Sequence, residues 1–403
     1  MRITTPQEPA DYAVSSIFRE RLVISSLLFA RPGILMVAMP AGSGQKGATM
    51  KPSAALLVFA MILLPSGCAT TPGERGPGSA TLDFALIGDM PYDARQEKEF
   101  TNLMMDIDTA DLAFVVHDGD FWWDGQAWTE KGGGLPPCSD EAFNDRLALA
   151  QASRHPFIYA PGDNEWADCH RAKPRTYDPF ERLAKLRHMY FQGDESLGQR
   201  RMKLTRQSET SRYAAYRENA RWTFGNVVFV TLHIIGSNNN LGRTAQMDAE
   251  YEERDAANIA WMREAFDLAT RNGSRAVMII AQADPYFQTT WTPNWQERYA
   301  LWSLAMKPPA SRRKTGYDSF LAALEKETLA FGKPVVYVHG DTHIFRIDKP
   351  LVGAKSQRII ENFTRVATFG HPDTHWIRAT IDPNDPNVFR FRQEIVKENR
   401  VAH

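Results

Sequence analysis

The chain has 403 residues, 43% of them hydrophobic and 24% charged, with a formal net charge of −1. That length holds one large α/β domain or two modest ones, in a composition ordinary for a soluble globular protein. The near-neutral balance excludes a nucleic-acid duplex as an expected partner, and the three cysteines, Cys68, Cys138 and Cys169, fit no zinc spacing.

Residues 50–68 read MKPSAALLVFAMILLPSGC, a lysine, an apolar run from Ala54 to Leu64, then small residues before a cysteine. This is the order of a secretory signal, and the run is shorter than the ~20 residues that span a bilayer. Ser66-Gly67-Cys68 resembles the bacterial lipoprotein signal, with Pro65 where that pattern prefers leucine. The resemblance implies a lipidated Cys68, and Ala69 after it implies anchoring at the outer membrane, in the periplasm of a Gram-negative bacterium. Met50 is then the expected start, with residues 1–49 upstream of it and disordered, 50–67 the signal and 68–80 a Pro- and Gly-rich flexible tether. AGSGQKGAT (41–49) lacks phosphate-loop spacing and has no strand before it. Without residues 1–67 the net charge is −4.

One domain is expected over 81–400, with no internal repeat. TLDFALIG (81–88) has a strand pattern, and apolar spacing over 94–109 predicts a helix. DLAFVVH (111–117) is a second strand, and a helix follows from Ser139 as N-cap. HPFIYAP (155–161) is a third strand, and 178–191 an amphipathic helix. Residues 222–236 read as a hairpin turning at Gly225-Asn226, 248–270 as a long helix and 275–284 as a buried strand. A Trp-rich loop, a helix over 317–331, the strand PVVYVHG and further β-like stretches complete the chain. The expected fold class is α/β (α+β), two sheets with helices outside.

Four apolar runs end alike, in a glycine beside an aspartate: Gly88-Asp89, Gly119-Asp120, Gly162-Asp163 and Gly340-Asp341. In open α/β sheets the loops at the carboxyl ends of strands hold the site, and carboxylates gathered there suit a hard cation and an anionic substrate. The order and spacing resemble the calcineurin-like metallophosphoesterases, two-metal enzymes with a double β-sandwich flanked by helices. Their pattern is D-x-H, G-D, G-N-H-[DE], an isolated His, then G-H-x-H. On this pattern Asp89 takes the first aspartate and Pro91 the place of the first His, while Asp120 is the bridging aspartate. Asp163 replaces the ligand asparagine, Asn164 the phosphate-contacting His, Gln282 the isolated His and Asp341 the first His of the last motif, while His343 remains.

The resemblance implies a metal-dependent phosphoesterase in which a metal-bound hydroxide hydrolyses a small phosphorylated substrate. One cation would take Asp89, Asp120 and His343, and a second Asp120, Asp163, Gln282 and Asp341. Exchanging imidazole for oxygen donors favours one or two Mn, Mg or Ca ions over Zn or Fe. Asn164 is expected to contact phosphate, and His117, Asp118 or His233 to supply the missing proton, against a core-histidine reading for His117 and His233. Tyr92, Glu165, Trp166 and His339 are expected to orient ligands or line the pocket. Trp122, Trp123, Trp128, Trp291 and Trp295 are expected at the rim or in loop packing, and Asn238–Asn240 as a polar loop. In an exported chain Cys138 and Cys169 are expected to pair, free thiols being the alternative. The alternative function is a fold of this type that has lost catalysis and serves as a binding or envelope scaffold lipoprotein.

Overall fold

The computed structural model describes residues 81–123, 134–287 and 315–401. The signal, tether and Cys68, and Trp128, Trp291 and Trp295, lie outside the described residues. One sheet has five strands in the order β12-β11-β1-β2-β3. These are β1 (Leu82–Ile87), β2 (Val115–His117), β3 (Phe157–Tyr159), β11 (Trp376–Ile381) and β12 (Phe389–Glu394). The other has seven, ordered β4-β5-β6-β7-β8-β10-β9. Its strands are β4 (Thr205–Arg206), β5 (Ala220–Phe224), β6 (Val227–Thr231), β7 (Ala276–Ile280), β8 (Val335–His339), β9 (Arg346–Asp348) and β10 (Phe363–Ala367). β1, β2 and β3 run parallel, as do β6, β7, β8 and β10.

Alternation along the parallel strands decides the layering. On β7, Ala276, Met278 and Ile280 join one core while Val277 and Ile279 join another. β8 repeats this with Val336 and Val338 against Val335 and Tyr337. A strand apolar at every position must be covered on both faces. The first core lies between the sheets, where Phe84 of β1 meets Phe229 of β6 with ring centroids 5.4 Å apart. It continues to α1 (Ala94–Thr109), α2 (Asp140–Ala152) and α3 (Pro179–Tyr190) through Leu103, Phe143 and Leu186. The second core lies beneath α4 (Ala245–Arg271) and α5 (Asp318–Phe331), which contribute Trp261, Phe266, Phe320 and Leu324. The fold is therefore two sheets flanked by helices.

Local signals place the elements. Ser139 caps α2 by accepting from the Ala142 amide at 3.0 Å, and Asp178 caps α3 ahead of Pro179 at its first turn. Gly225 and Asn226 turn the β5–β6 hairpin with φ of 57° and 59°, the pair of positive values that a two-residue turn of matching twist requires. Several bounds shift, the strands expected over 155–161 and 275–284 being regular only over Phe157–Tyr159 and Ala276–Ile280. The strand expected over 111–117 is regular only from Val115, and α4 begins at Ala245 because Thr244 caps it through the Met247 amide. Cys138 and Cys169 form a disulfide.

Candidate metal and phosphate site

The carboxyl ends of β1, β2, β3, β6, β7 and β8 deliver Asp89, Asp120, Asp163, Gly236, Gln282 and Asp341 to one rim. Glycines make the convergence possible. A Cβ added to Gly340 would stand 1.7 Å from Asp89 Oδ2, one on Gly88 1.5 Å from Asp118 Oδ1, and one on Gly162 2.0 Å from Asp120 Oδ1. Each glycine thus receives a carboxylate from a neighbouring strand end. Gly236 is shared, its Cβ position lying 2.8 Å from Asp163 Oδ1 and 2.9 Å from Asp341 Oδ1. Asp89, Asp120, Asp341 and His343 all hold left-handed backbone, with φ of 50°, 56°, 59° and 59°. Such strain persists where the surroundings over-determine it, and it gathers at functional sites.

His343 is set up as a ligand would be. Its Nδ1 lies 2.8 Å from the His371 carbonyl oxygen, which can only accept, so Nδ1 carries the hydrogen. The lone pair of Nε2 then faces Asp89 Oδ1 at 3.6 Å and the Tyr92 hydroxyl at 3.4 Å. A backbone carbonyl behind the imidazole is the usual support of a metal-bound histidine. The Tyr92 hydroxyl also stands 3.2 Å from Asp89 Oδ1 and 3.4 Å from Asp120 Oδ2. One phenol oxygen therefore sits among all three residues expected to hold the first cation.

On the other side, Gln282 has turned its amide away from a ligand's role. Its Oε1 accepts from the Gly236 amide at 2.6 Å, while Nε2 donates to Asp120 Oδ2 at 3.0 Å. Asn164 likewise spends both side-chain hydrogens, on Asp120 Oδ2 at 3.1 Å and on the Trp122 carbonyl at 3.0 Å. Both amides fix Asp120. Asp341 Oδ2 accepts from the Asp284 amide at 3.0 Å, which leaves Oδ1 beside Gly236 and Asp163. Among the described residues no three His, Cys, Asp or Glu side chains already form a ready coordination cluster. Their oxygens are held instead by Tyr92, the two amides and backbone N–H groups.

The electrostatics are those of acids without enough counter-charge. Burial, and then Asp118 and Asp341, hold the Asp89 carboxyl well above its ordinary range. Burial, Asp163 and Glu165 do the same to Asp120. Asp341 is pushed up to about 8, by burial and then by Asp163. Burial and the same carboxylates keep Tyr92 a neutral phenol. Desolvation and like charge both favour the protonated acid.

The remaining expected residues lie behind the pocket. Glu165 is buried and accepts from the amides of Phe121, Asp120 and Gly162, tying the second site loop to the third. His117 is fully buried, its Nε2 3.0 Å from the Met90 carbonyl, its Nδ1 accepting from the Gly119 amide, its ring stacked on Phe121. That gives it a positioning part in place of proton transfer. Asp118 sits behind Gly88 and Gly340 and accepts from Thr368 Oγ1 at 3.0 Å. His339 is enclosed, with Nδ1 at the Gly340 carbonyl. Trp166 is buried and donates its indole N–H to His233 Nε2 at 3.0 Å. His233 in turn faces Glu218 Oε1 at 2.8 Å through Nδ1. Trp122 is buried, and Trp123 packs against Tyr92 and His371. Asn239 and Asn240 are buried in a left-handed turn.

Sequence reasoning missed Asp284, Glu218, His371 and the glycine at 236. The run QAD after a buried strand was a usable signal for Asp284. Nothing local marks the others.

No family model and no curated protein sequence matches the chain. Among solved structures, PhoD aligns with a TM-score of 0.45 at 12% identity, over 76% of this chain and 65% of its own. A dimetal phosphatase from Danio rerio aligns at 0.45 and 12%, over 78% of this chain and 96% of that one. A 5'-nucleotidase from Candida albicans aligns at 0.37 and 11%, over 79% and 51%. The chain thus spans less than two thirds of PhoD and about half of the nucleotidase.

Proposed function

We propose that the chain is an exported metal-dependent phosphoesterase acting on a phosphate ester of a small substrate. One observation carries the reading: Asp89, Asp120, Asp163 and Asp341 share one pocket, the first three buried, with Asp89, Asp120 and Asp341 on left-handed backbone and His343 as their basic neighbour. Desolvated carboxylates in that number are costly unless protonated or paired with a cation. Their oxygens are the hard donors that Mg²⁺, Mn²⁺ and Ca²⁺ take. Asp89, Asp120 and His343 would hold one such ion, and Asp120, Asp163 and Asp341 a second.

When bound, a divalent cation supplies Lewis-acid stabilisation of the charge that develops on a phosphoryl group. The chain's own residues do the rest. The His371 carbonyl aims His343, Asn164 and Gln282 fix Asp120, and Glu165 holds their loops in register. Tyr92 presents a neutral hydroxyl that can hydrogen-bond a phosphoryl oxygen. Export is supported by the signal-like residues 50–68, with a lipid anchor at Cys68, and by a disulfide that suits an oxidising compartment.

The test is calorimetric titration with Mn²⁺ and Mg²⁺ beside hydrolysis of nitrophenyl phosphate and bis-nitrophenyl phosphate. Binding and turnover that both vanish in Asp120→Asn are the expected result. A protein that neither binds cations nor turns over either ester ends the proposal.

A second reading, a scaffold protein that kept the fold and lost catalysis, is favoured by the Tyr92 hydroxyl among Asp89, Asp120 and His343. On that reading Tyr92→Phe gains a cation-binding event that the parent lacks, without gaining turnover.

A further inference from the structure

One glutamine behind the pocket holds both supports of its His343 side. Gln96 lies in the first turn of α1 and is fully buried. Asp93-Ala-Arg-Gln96 has the form of a capping box, in which the third helical residue reaches back to the amide of the cap. Half of that box is built, since Asp93 Oδ1 accepts from the Gln96 amide at 2.8 Å. The returning half passes Asp93 by. Gln96 Oε1 accepts instead from the Tyr92 amide at 2.9 Å, one residue before the cap.

That detour brings the same oxygen a second partner. His371 Nδ1 stands 3.1 Å from Gln96 Oε1. The Tyr92 amide can only donate, so this end of the Gln96 side chain is its carbonyl, and His371 carries its hydrogen on Nδ1. Asp93 Oδ2 is 3.8 Å from that nitrogen, beyond a hydrogen bond. At the other end Gln96 Nε2 donates to Thr374 Oγ1 at 3.1 Å, and the Thr374 hydroxyl donates to Glu99 Oε2 at 2.8 Å. Both ends of the amide are anchored.

Tyr92 and His371 are the residues that shape the His343 side. The Tyr92 hydroxyl stands within 3.4 Å of Asp89, Asp120 and His343. The His371 carbonyl aims His343, and the His371 amide donates to the Asp89 carbonyl at 3.0 Å. Their rings stack, 13° from parallel with centroids 5.6 Å apart. One oxygen thus holds the backbone of Tyr92 and the imidazole of His371.

We propose that Gln96 is a positioning residue of the pocket, its carbonyl oxygen setting at one point both the place of the Tyr92 hydroxyl and the aim of the His343 imidazole. Its part in catalysis rests on the phosphoesterase reading, whereas the coupling of Tyr92 to His371 does not. Supports behind a metal-binding histidine act through ligand geometry, and losing one costs about 10- to 100-fold in affinity.

The test compares Gln96→Leu, which removes the acceptor, with Gln96→Glu, which keeps it, and with Thr374→Val, which removes only the partner of Nε2. In metal-free protein, the histidine nitrogen resonances should show His371 protonated at Nδ1 in the parent, in Gln96→Glu and in Thr374→Val. In Gln96→Leu they should shift toward the Nε2 tautomer. Calorimetric titration with Mn²⁺ should show binding about tenfold weaker in Gln96→Leu and like the parent's in Thr374→Val, although both lower Tm. An unchanged His371 tautomer or unchanged affinity in Gln96→Leu overturns the assignment, and so does an equal loss of affinity in Thr374→Val. Should Gln96→Leu not fold, the parent still decides, because His371 protonated only at Nε2 overturns the assignment without any variant. A parent that binds no cation while the tautomers behave as stated ends the phosphoesterase reading and keeps the coupling.

Discussion

The carboxylate of Asp89 lies against the α-carbon of Gly340, so close that a side chain there would begin 1.7 Å from its Oδ2. The Asp341 amide donates to the same oxygen at 2.8 Å, which locks the end of β1 to the end of β8 across the two sheets. Gly340→Ala is therefore expected to cost about 3 kcal/mol and to expel Asp89 from the pocket. Gly332→Ala is the comparison. Gly332 has positive φ, 64°, which Gly340 does not, and nothing stands within 4 Å of its Cβ position. It should cost only the left-handed penalty, about 1 kcal/mol. Urea unfolding of both variants, with cation titration of Gly340→Ala, checks the pair. A loss in Gly340→Ala no larger than that in Gly332→Ala would mean that the surroundings of Asp89 absorb the close approach.

The Gly-Asp repeats were legible because strand ends and glycines are local features. Asp89, Asp120, Asp163, Asp341 and His343 lie at one rim. What the glycines do was not legible. They read as turn formers, whereas Gly88, Gly162 and Gly340 each make room for a carboxylate from another strand, a matter of register between distant segments. Gln282 was placed at the right strand end, yet its oxygen answers to the Gly236 amide, a partner 46 residues away. Asp284, His371 and Glu218 carry no motif because each acts by holding something else.

The pocket acids and the buried histidines pull stability in opposite directions with pH. Asp89, Asp120 and Asp341 hold protons in the folded state more tightly than in the unfolded chain. Their contribution is present at low pH and is lost as pH rises, for Asp341 through about 8. Burial lowers His117 to about 3 and His339 to about 4, so their contribution is full above the unfolded value, about 6.5, and is lost as pH falls toward those values. With EDTA present, Tm should peak in the mildly acidic range and fall on both sides. Mn²⁺ should restore Tm at pH 8 and do little at pH 5, because there protons compete for the same oxygens. Identical melting with Mn²⁺ and with EDTA at pH 8 would show that these carboxylates hold no cation.

The Cys138–Cys169 bridge closes a loop of 31 residues that contains Asp163, Asn164 and Glu165. Loop entropy alone assigns it about 3–4 kcal/mol. Replacing both cysteines with serine should lower stability by that order. It should also weaken cation binding, since the loop bearing Asp163 then samples more conformations. Hydrogen exchange of residues 160–170 gives the readout, with unchanged protection as the contrary result.

Trp166 and Glu165 are neighbours with separate tasks, and substitution can part them. Trp166 donates to His233 Nε2, whose Nδ1 faces Glu218, itself ion-paired with Arg187. All but the partly exposed Arg187 are enclosed, so Trp166→Phe leaves His233 Nε2 as an unpaired acceptor in the core. Such an orphan costs about 1–3 kcal/mol, to which the smaller ring adds a void. The variant should lose about 3 kcal/mol in urea unfolding, while its cation affinity stays within about twofold, because no pocket carboxylate bonds to Trp166. The nitrogen resonances of His233 should report the lost donor at Nε2 with Nδ1 still protonated. A large loss of cation affinity with a small loss of stability would instead assign Trp166 to the pocket.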